Sequence, residues 1–162
     1  MEDVAEIARI HVEAWKTTYR GLVSDSYLDN LSLEERVKGW TRFFNREKGN
    51  SISFLLENDS QAVGFCSAGP SRDPDATKEV GELYAIYLLP EAQKQGQGLK
   101  LMNSALDFLR EREFRKATLW VLNTNQAAID FYKATGWRAD GKEKVEEKDE
   151  LRLEEVRYVI DL

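Results

Sequence analysis

Lys94, Gly96 and Gly98 stand between an apolar run and a helical repeat. The run Leu83-Tyr84-Ala85-Ile86-Tyr87-Leu88-Leu89 has the composition of a strand. Pro90 ends it, because proline has no N–H for a ladder and a fixed φ. A polar loop covers 91–97, and Leu99, Met102, Leu106 and Leu109 then recur at helical spacing, which predicts a helix from about Gly98 to Arg110. Strand, glycine-bearing loop and helix N-terminus together make an anion site. The first-turn N–H groups have no intrahelical partner, the helix dipole favours negative charge there, and glycine lets the backbone come close to a phosphate. The spacing is neither G-x-x-x-x-G-K-[ST] nor a G-x-G-x-x-G opening a first βα unit, so both nucleotide fingerprints fail.

Other reactive residue types are sparse. His11, the only histidine, shares a helical stripe with Val4, Ile7, Ala8 and Trp15, where a packed ring with a local hydrogen bond is expected. Cys66, the only cysteine, falls inside an apolar strand and reads as a core residue rather than a nucleophile. One cysteine permits no internal disulfide and fits a reducing cytoplasm. There is no credible Cys–His pair for a covalent acyl route, and no metal is expected.

The segment Gln93-Lys94-Gln95-Gly96-Gln97-Gly98 resembles Q/R-x-x-G-x-G/A, the acetyl-CoA pyrophosphate loop of the GNAT superfamily of N-acetyltransferases. Pro90 stands where members of that family commonly close the strand. A second match lies downstream. Residues 125–137 resemble N-x-x-A-x-x-F-Y-x-x-x-G-F, with Asn125, Ala128, Phe131, Tyr132 and Gly136 in register and Trp137 in place of the final Phe. Two motifs in the right order, separated by a helix and a strand, are far more specific than either alone. The N-terminal Trp15-x-x-x-Tyr19-Arg20-Gly21 is also similar to a group of bacterial members. The resemblance covers nearly the whole chain in element order. It implies one N-acetyltransferase domain over 1–162, of α/β class, whose central mixed twisted sheet is splayed in a V and flanked by helices. Members usually begin with a short strand. Here the chain starts at Met1-Glu2-Asp3, already at a helix cap, so either this start is internal to the natural gene or that strand is missing.

The same resemblance implies the reaction, transfer of an acetyl group from acetyl-CoA to a primary amine by direct attack. The pyrophosphate would lie on the loop formed by Gln93, Lys94, Gln95, Gly96, Gln97, Gly98 and Leu99. The pantetheine arm would pair with the strand at Ile86, Tyr87 and Leu88, with Asn125 hydrogen-bonding it. Tyr132 would give a proton to the departing sulfur. An amine of pKa ~10.4 is neutral only about once in a few thousand at pH 7, so a base is required, and Glu82 is the candidate, acting through water. Trp15, Tyr19 and Tyr84, with the segment 21–31, would form the acceptor pocket. Plainer roles compete: packing for the aromatics, an N-cap for Asn125, an ion pair for Glu82. The alternative function is a catalytically inactive CoA-binding sensor or regulatory module. The acceptor would be a small-molecule amine or a protein or peptide amine, and a homodimer is possible because family members are often dimers.

These groups need elements to hold them. Periodicity predicts helices over about 3–19 and, after the capping box Ser32-Leu33-Glu34-Glu35, to about Arg46. Strands follow at Ile52–Leu56, Gln61–Gly69 and Val80–Leu88, with Asn58-Asp59-Ser60 as a hairpin turn. Beyond the helix at 98–110 come a strand at Lys116–Leu122, parallel to the previous one, and a helix from about Gln126 to Thr135 closed by Gly136. A strand begins at Trp137–Gly141, Lys142–Glu150 reads as a charge-dense connection, and Leu153–Asp161 is the last strand. The 162 residues, 42% hydrophobic and 32% charged, suit a globular domain. No run approaches membrane-span length, and no signal peptide is visible. A net charge of −6 argues against nucleic acid and is compatible with a cationic substrate.

Overall fold

The computed structural model describes residues 2–47, 49–148 and 151–162. Its helices are α1 (Glu2–Thr18), α2 (Asp25–Asp29), α3 (Leu33–Glu47), α4 (Gln97–Glu111) and α5 (Gln126–Ala134). Its strands are β1 (Ile52–Asn58), β2 (Gln61–Pro70), β3 (Val80–Leu88), β4 (Lys116–Leu122), β5 (Arg138–Lys148) and β6 (Leu151–Asp161), in the sheet order β1-β2-β3-β4-β6-β5. The apolar stripe of α1 packs Ile7 and Ile10 with Trp40 of α3 and Phe65 of β2 on one face. On the other face α4 buries Met102, Ala105 and Leu109 against Cys66, Ala117 and Leu119. Every sheet neighbour is antiparallel except β3 and β4, which the α4 crossover makes parallel.

Two irregularities of β3 shape the molecule. Ala68 pairs with Leu83 while Ser67 pairs with Ala85, so Tyr84 is an extra, bulged residue. On the other side β3 pairs with β4 over only three residues, Val80–Lys116, Gly81–Ala117 and Glu82–Thr118, and the strands then part. From Leu83 onward that edge of β3 has no ladder partner among the described residues, and the expected V opens there. Gly81 keeps the junction tight, since a Cβ there would come within 2.7 Å of the Leu109 side-chain tip, which would have to shift.

Several boundaries differ from expectation. The charge-dense stretch is mostly strand: β5 continues through Lys142 to Lys148, pairing Lys144 with Glu155 and Glu147 with Arg152, while Asp149 and Glu150 lie outside the described residues. Opposite charges across a ladder substitute for the missing apolar alternation. The segment before α3 contains the one-turn α2, capped by the Ser24 hydroxyl, which accepts from the Tyr27 N–H at 3.4 Å. Only half of the capping box forms. Ser32 Oγ accepts from the Glu35 N–H at 3.2 Å, and the Glu35 carboxylate pairs with Lys38 instead. The hairpin turn does form, with positive φ at Asp59 and Ser60.

Arg157 of β6 fastens the β2–β3 loop to the sheet. Its guanidinium, 10% exposed, bonds Asp73 and Asp75 of the loop at 2.9 Å each, and Asp140 of β5 at 2.7 Å. Removing it leaves three carboxylates facing one another, so Arg157→Met is expected to lose about 3 kcal/mol of stability. Bonding to Arg157 holds the Asp75 carboxyl below its usual range, and at Asp140 burial is the largest single influence but is outweighed by Arg157 and the Lys142 N–H together. Depressed carboxyl pKa values stabilise above the unfolded pKa and that stability is lost as pH falls through the folded one. The wild type should therefore lose stability steeply below about pH 4, and Arg157→Met less so, in thermal melts across pH.

Candidate active site

The parting of β3 and β4 opens a cleft of about 490 Å³. One wall is β3 from Leu83 to Leu88, the other Leu119, Trp120 and Val121 of β4, with α5 closing the end. Of the residues expected at the cofactor, Ile86, Tyr87, Leu88, Gln93, Lys94 and Gly96 line it. So do Gly98, Leu99, Asn125 and Tyr132, together with the expected acceptor residues Tyr19 and Tyr84.

The loop is pre-shaped by its backbone. Lys94 and Gly96 have φ of 59° and 75°, and Gly96 is the left-handed N-cap of α4. Such alternations turn successive N–H groups toward one concavity, which the α4 dipole makes electropositive. A Cβ on Gly96 would meet nothing within 4 Å, leaving open space before the helix N-terminus. At Gly98 a Cβ would stand in ordinary contact, 3.4 Å from Phe131 and 3.5 Å from Leu88, so the helix enters close against the strand end. Gln93 clips the loop to β3 by donating Nε2–H to the Leu88 carbonyl at 3.0 Å. Gln95 turns away, its Nε2 bonding the Glu91 carbonyl at 2.8 Å, and the Gln97 side chain points inward with Oε1 buried and unpartnered among the described residues. Neither of these two lines the cleft.

These features fit a pyrophosphate joined to an amide-bearing arm. The loop offers N–H groups and the Lys94 charge, while the unpartnered β3 edge offers alternating N–H and C=O groups. Asn125 has the N-cap role, its Oδ1 accepting from the Ala128 N–H at 3.2 Å, and it also lines the cleft. Tyr132 is 8% exposed, with its ring between Phe131 and Trp137 and its hydroxyl without a hydrogen bond among the described residues. Burial, with the nearby Tyr87, pushes that hydroxyl well above the ordinary tyrosine range, so it keeps its proton at neutral pH.

The acceptor end is less simple than its residue types suggested. Trp15 stands behind the wall, donating its indole N–H to the Tyr87 hydroxyl at 3.0 Å. Tyr84 bonds the Pro70 carbonyl at 2.6 Å and carries the Arg72 guanidinium on its ring at 4.3 Å. Glu82 is 2% exposed and lies at the apex of the V without lining the cleft. Its Oε2 accepts from the Arg72 N–H at 2.8 Å and its Oε1 pairs with the Arg72 guanidinium. His11 and Cys66 are packed, as expected. His11 Nδ1 accepts from Trp40 at 3.1 Å, burial and then Arg36 depress its pKa well below the usual value, and burial pushes the Cys66 thiol up to about 12. Trp120 was missed by sequence reasoning, although strand alternation in KATLWVL places it on the face opposite Leu119 and Val121.

The acetyltransferase (GNAT) family model matches residues 6–137 of this chain. The uncharacterized N-acetyltransferase YuaI of Bacillus subtilis is 36% identical over 137 residues, 83% of this chain and 74% of its own length. The spermidine N(1)-acetyltransferase of Thermoplasma acidophilum is 25% identical over 154 residues, 91% of this chain and 92% of its own. Among solved structures, the PaiA N-acetyltransferase of Thermoplasma acidophilum in complex with coenzyme A aligns over 99% of this chain and 94% of its own with a TM-score of 0.72, at 22% identity. With its split sheet, glycine loop and family match, the chain belongs to the GNAT acetyltransferases and is an acyltransferase.

Proposed function

We propose that this enzyme transfers the acetyl group of acetyl-CoA to a primary amine by direct attack, without a covalent acyl-enzyme. The observation that carries it is the unpartnered β3 edge, which runs from the apex at Glu82 to the open Gly96 loop with Tyr132 across the cleft. Bound acetyl-CoA supplies the thioester. The main chain of 94–99 holds its phosphates, Ile86 to Leu88 align its amides, and the Asn125 side chain restrains the arm. Tyr132 Oη keeps a proton at neutral pH and delivers it to the departing sulfur. The ammonium of the acceptor passes its proton through water to Glu82, which shares its carboxylate with Arg72. An amine panel read out as released CoA tests the reading, and CoA binding without turnover on any amine would overturn it.

The Glu82 role has its own signature. Glu82→Gln should cut kcat/KM most near neutral pH, and the deficit should shrink as pH approaches the amine's own pKa of about 10.4, where free amine no longer needs a base. A mutant-to-wild-type ratio flat from about pH 6 to pH 10 would assign Glu82 to holding Arg72 over Tyr84 instead.

A further inference from the structure

Trp120 lines the cleft, and its indole is fixed: Nε1 donates to Asp73 Oδ1 at 2.9 Å, and Arg157 stands 5.7 Å from the ring. On that ring lies an ammonium group of the protein itself. Lys144 Nζ is 4.6 Å from the ring centroid, 3.2 Å from Glu155 and 2.9 Å from Glu146. Glu155 is no ordinary rim carboxylate. Its side chain is 17% exposed, burial raises its pKa against the pull of Lys144, and its charge is felt by Tyr19 and Tyr87, both in the cleft wall. Its cross-strand neighbour Leu122 packs in the same cluster as Tyr19.

We propose that Trp120, Glu155 and Glu146 form a subsite for a second ammonium group of the acceptor, and that Lys144 fills it until an acceptor displaces it. This rests on the amine-acceptor reading and narrows it to amines carrying at least two positive charges. An aromatic face flanked by two carboxylates attracts an alkylammonium by the ring quadrupole and by charge together. A largely buried carboxylate cannot lose its counter-cation without a large desolvation penalty, so Glu155 permits exchange of one ammonium for another and resists simple departure of Lys144. A neutral group cannot make that exchange. Once another ammonium takes its place Lys144 can swing aside, since it sits on the edge strand β5, 33% exposed, on a flexible four-carbon stem. Cross-strand register brings Lys144 to Glu155 and within reach of Trp120, and the subsite follows from that ring also lining the cleft.

The test compares α,ω-diamines of increasing length with monoamines in which a methyl replaces the distal ammonium. At the best length, the wild type should prefer the diamine by roughly tenfold or more in kcat/KM, mostly through KM. Glu155→Gln should bring that preference toward unity. Lys144→Met should lower the diamine KM further, a gain that a damaged fold cannot produce. Turnover of both amines at equal efficiency in the wild type would overturn the subsite while leaving the acetyltransferase reading intact. So would a preference that survives Glu155→Gln, or a diamine KM that Lys144→Met leaves unchanged or raises. No turnover of any amine, with CoA still bound in calorimetry, would overturn both.

Discussion

Tyr132→Phe is expected to lower kcat by about a hundredfold to ten-thousandfold while leaving acetyl-CoA affinity almost unchanged. The substitution removes one oxygen and nothing else. The ring keeps its contacts with Phe131, centroids 5.6 Å apart, and with Trp137 at 6.3 Å, and no protein hydrogen bond is lost among the described residues. Affinity reports the cofactor-binding surface, and turnover reports the proton. Because burial lifts the Tyr132 hydroxyl far above neutrality, its titration should produce no limb in the acid-to-neutral half of the wild-type pH–rate profile. Calorimetry with acetyl-CoA beside single-turnover kinetics separates the two quantities. A mutant with wild-type turnover would make Tyr132 a packing residue.

Gly96→Trp is expected to abolish acetyl-CoA binding and leave a folded protein. Two effects add. The residue has φ of 75°, a conformation that costs a side-chain-bearing residue roughly 1–2 kcal/mol. The new side chain would also fill the open space in front of the α4 N-terminus, the space the phosphates need. Since a Cβ there touches nothing in the protein, the core is untouched, and the melting temperature should fall by only a few degrees. Gly96→Ala separates the effects, retaining the strain with little of the obstruction, and should bind weakly rather than not at all. Wild-type affinity in Gly96→Trp would remove the loop from the phosphate site.

What could be read in the chain is what is local. Pro90 after an apolar run, glycines at 96 and 98 and the Asn125 to Gly136 motif each act within a turn or two of backbone, and the structure has a strand end, a loop and a capped helix there. The 142–148 stretch misled because its strand character lies in its partner: Lys144 and Glu147 look like solvated charge until Glu155 and Arg152 stand opposite them. Glu82 poses the same problem. Its residue type and place near the start of β3 suggested a base, but its engagement by Arg72, ten residues earlier, follows from how the β2–β3 loop folds back. The Arg157 hub, joining residues more than 80 positions apart, was invisible for the same reason. Trp120 was legible as a strand residue, but its place in a cleft depends on β3 and β4 parting three residues in.

That parting also bears on how the protein avoids sticking to itself. A strand edge with unpartnered N–H and C=O groups invites another chain to add on, and sheets usually blunt their edges with charge, bulges or closure. Here β3 carries such an edge in the middle of the sheet. Its defence is recess: the edge lies inside a wedge whose other wall is β4 and whose end is closed by α5. A foreign strand would have to enter that wedge to reach the edge, so the geometry that exposes amides to the cofactor also shields them from strand addition, and a bound cofactor would cover the edge itself.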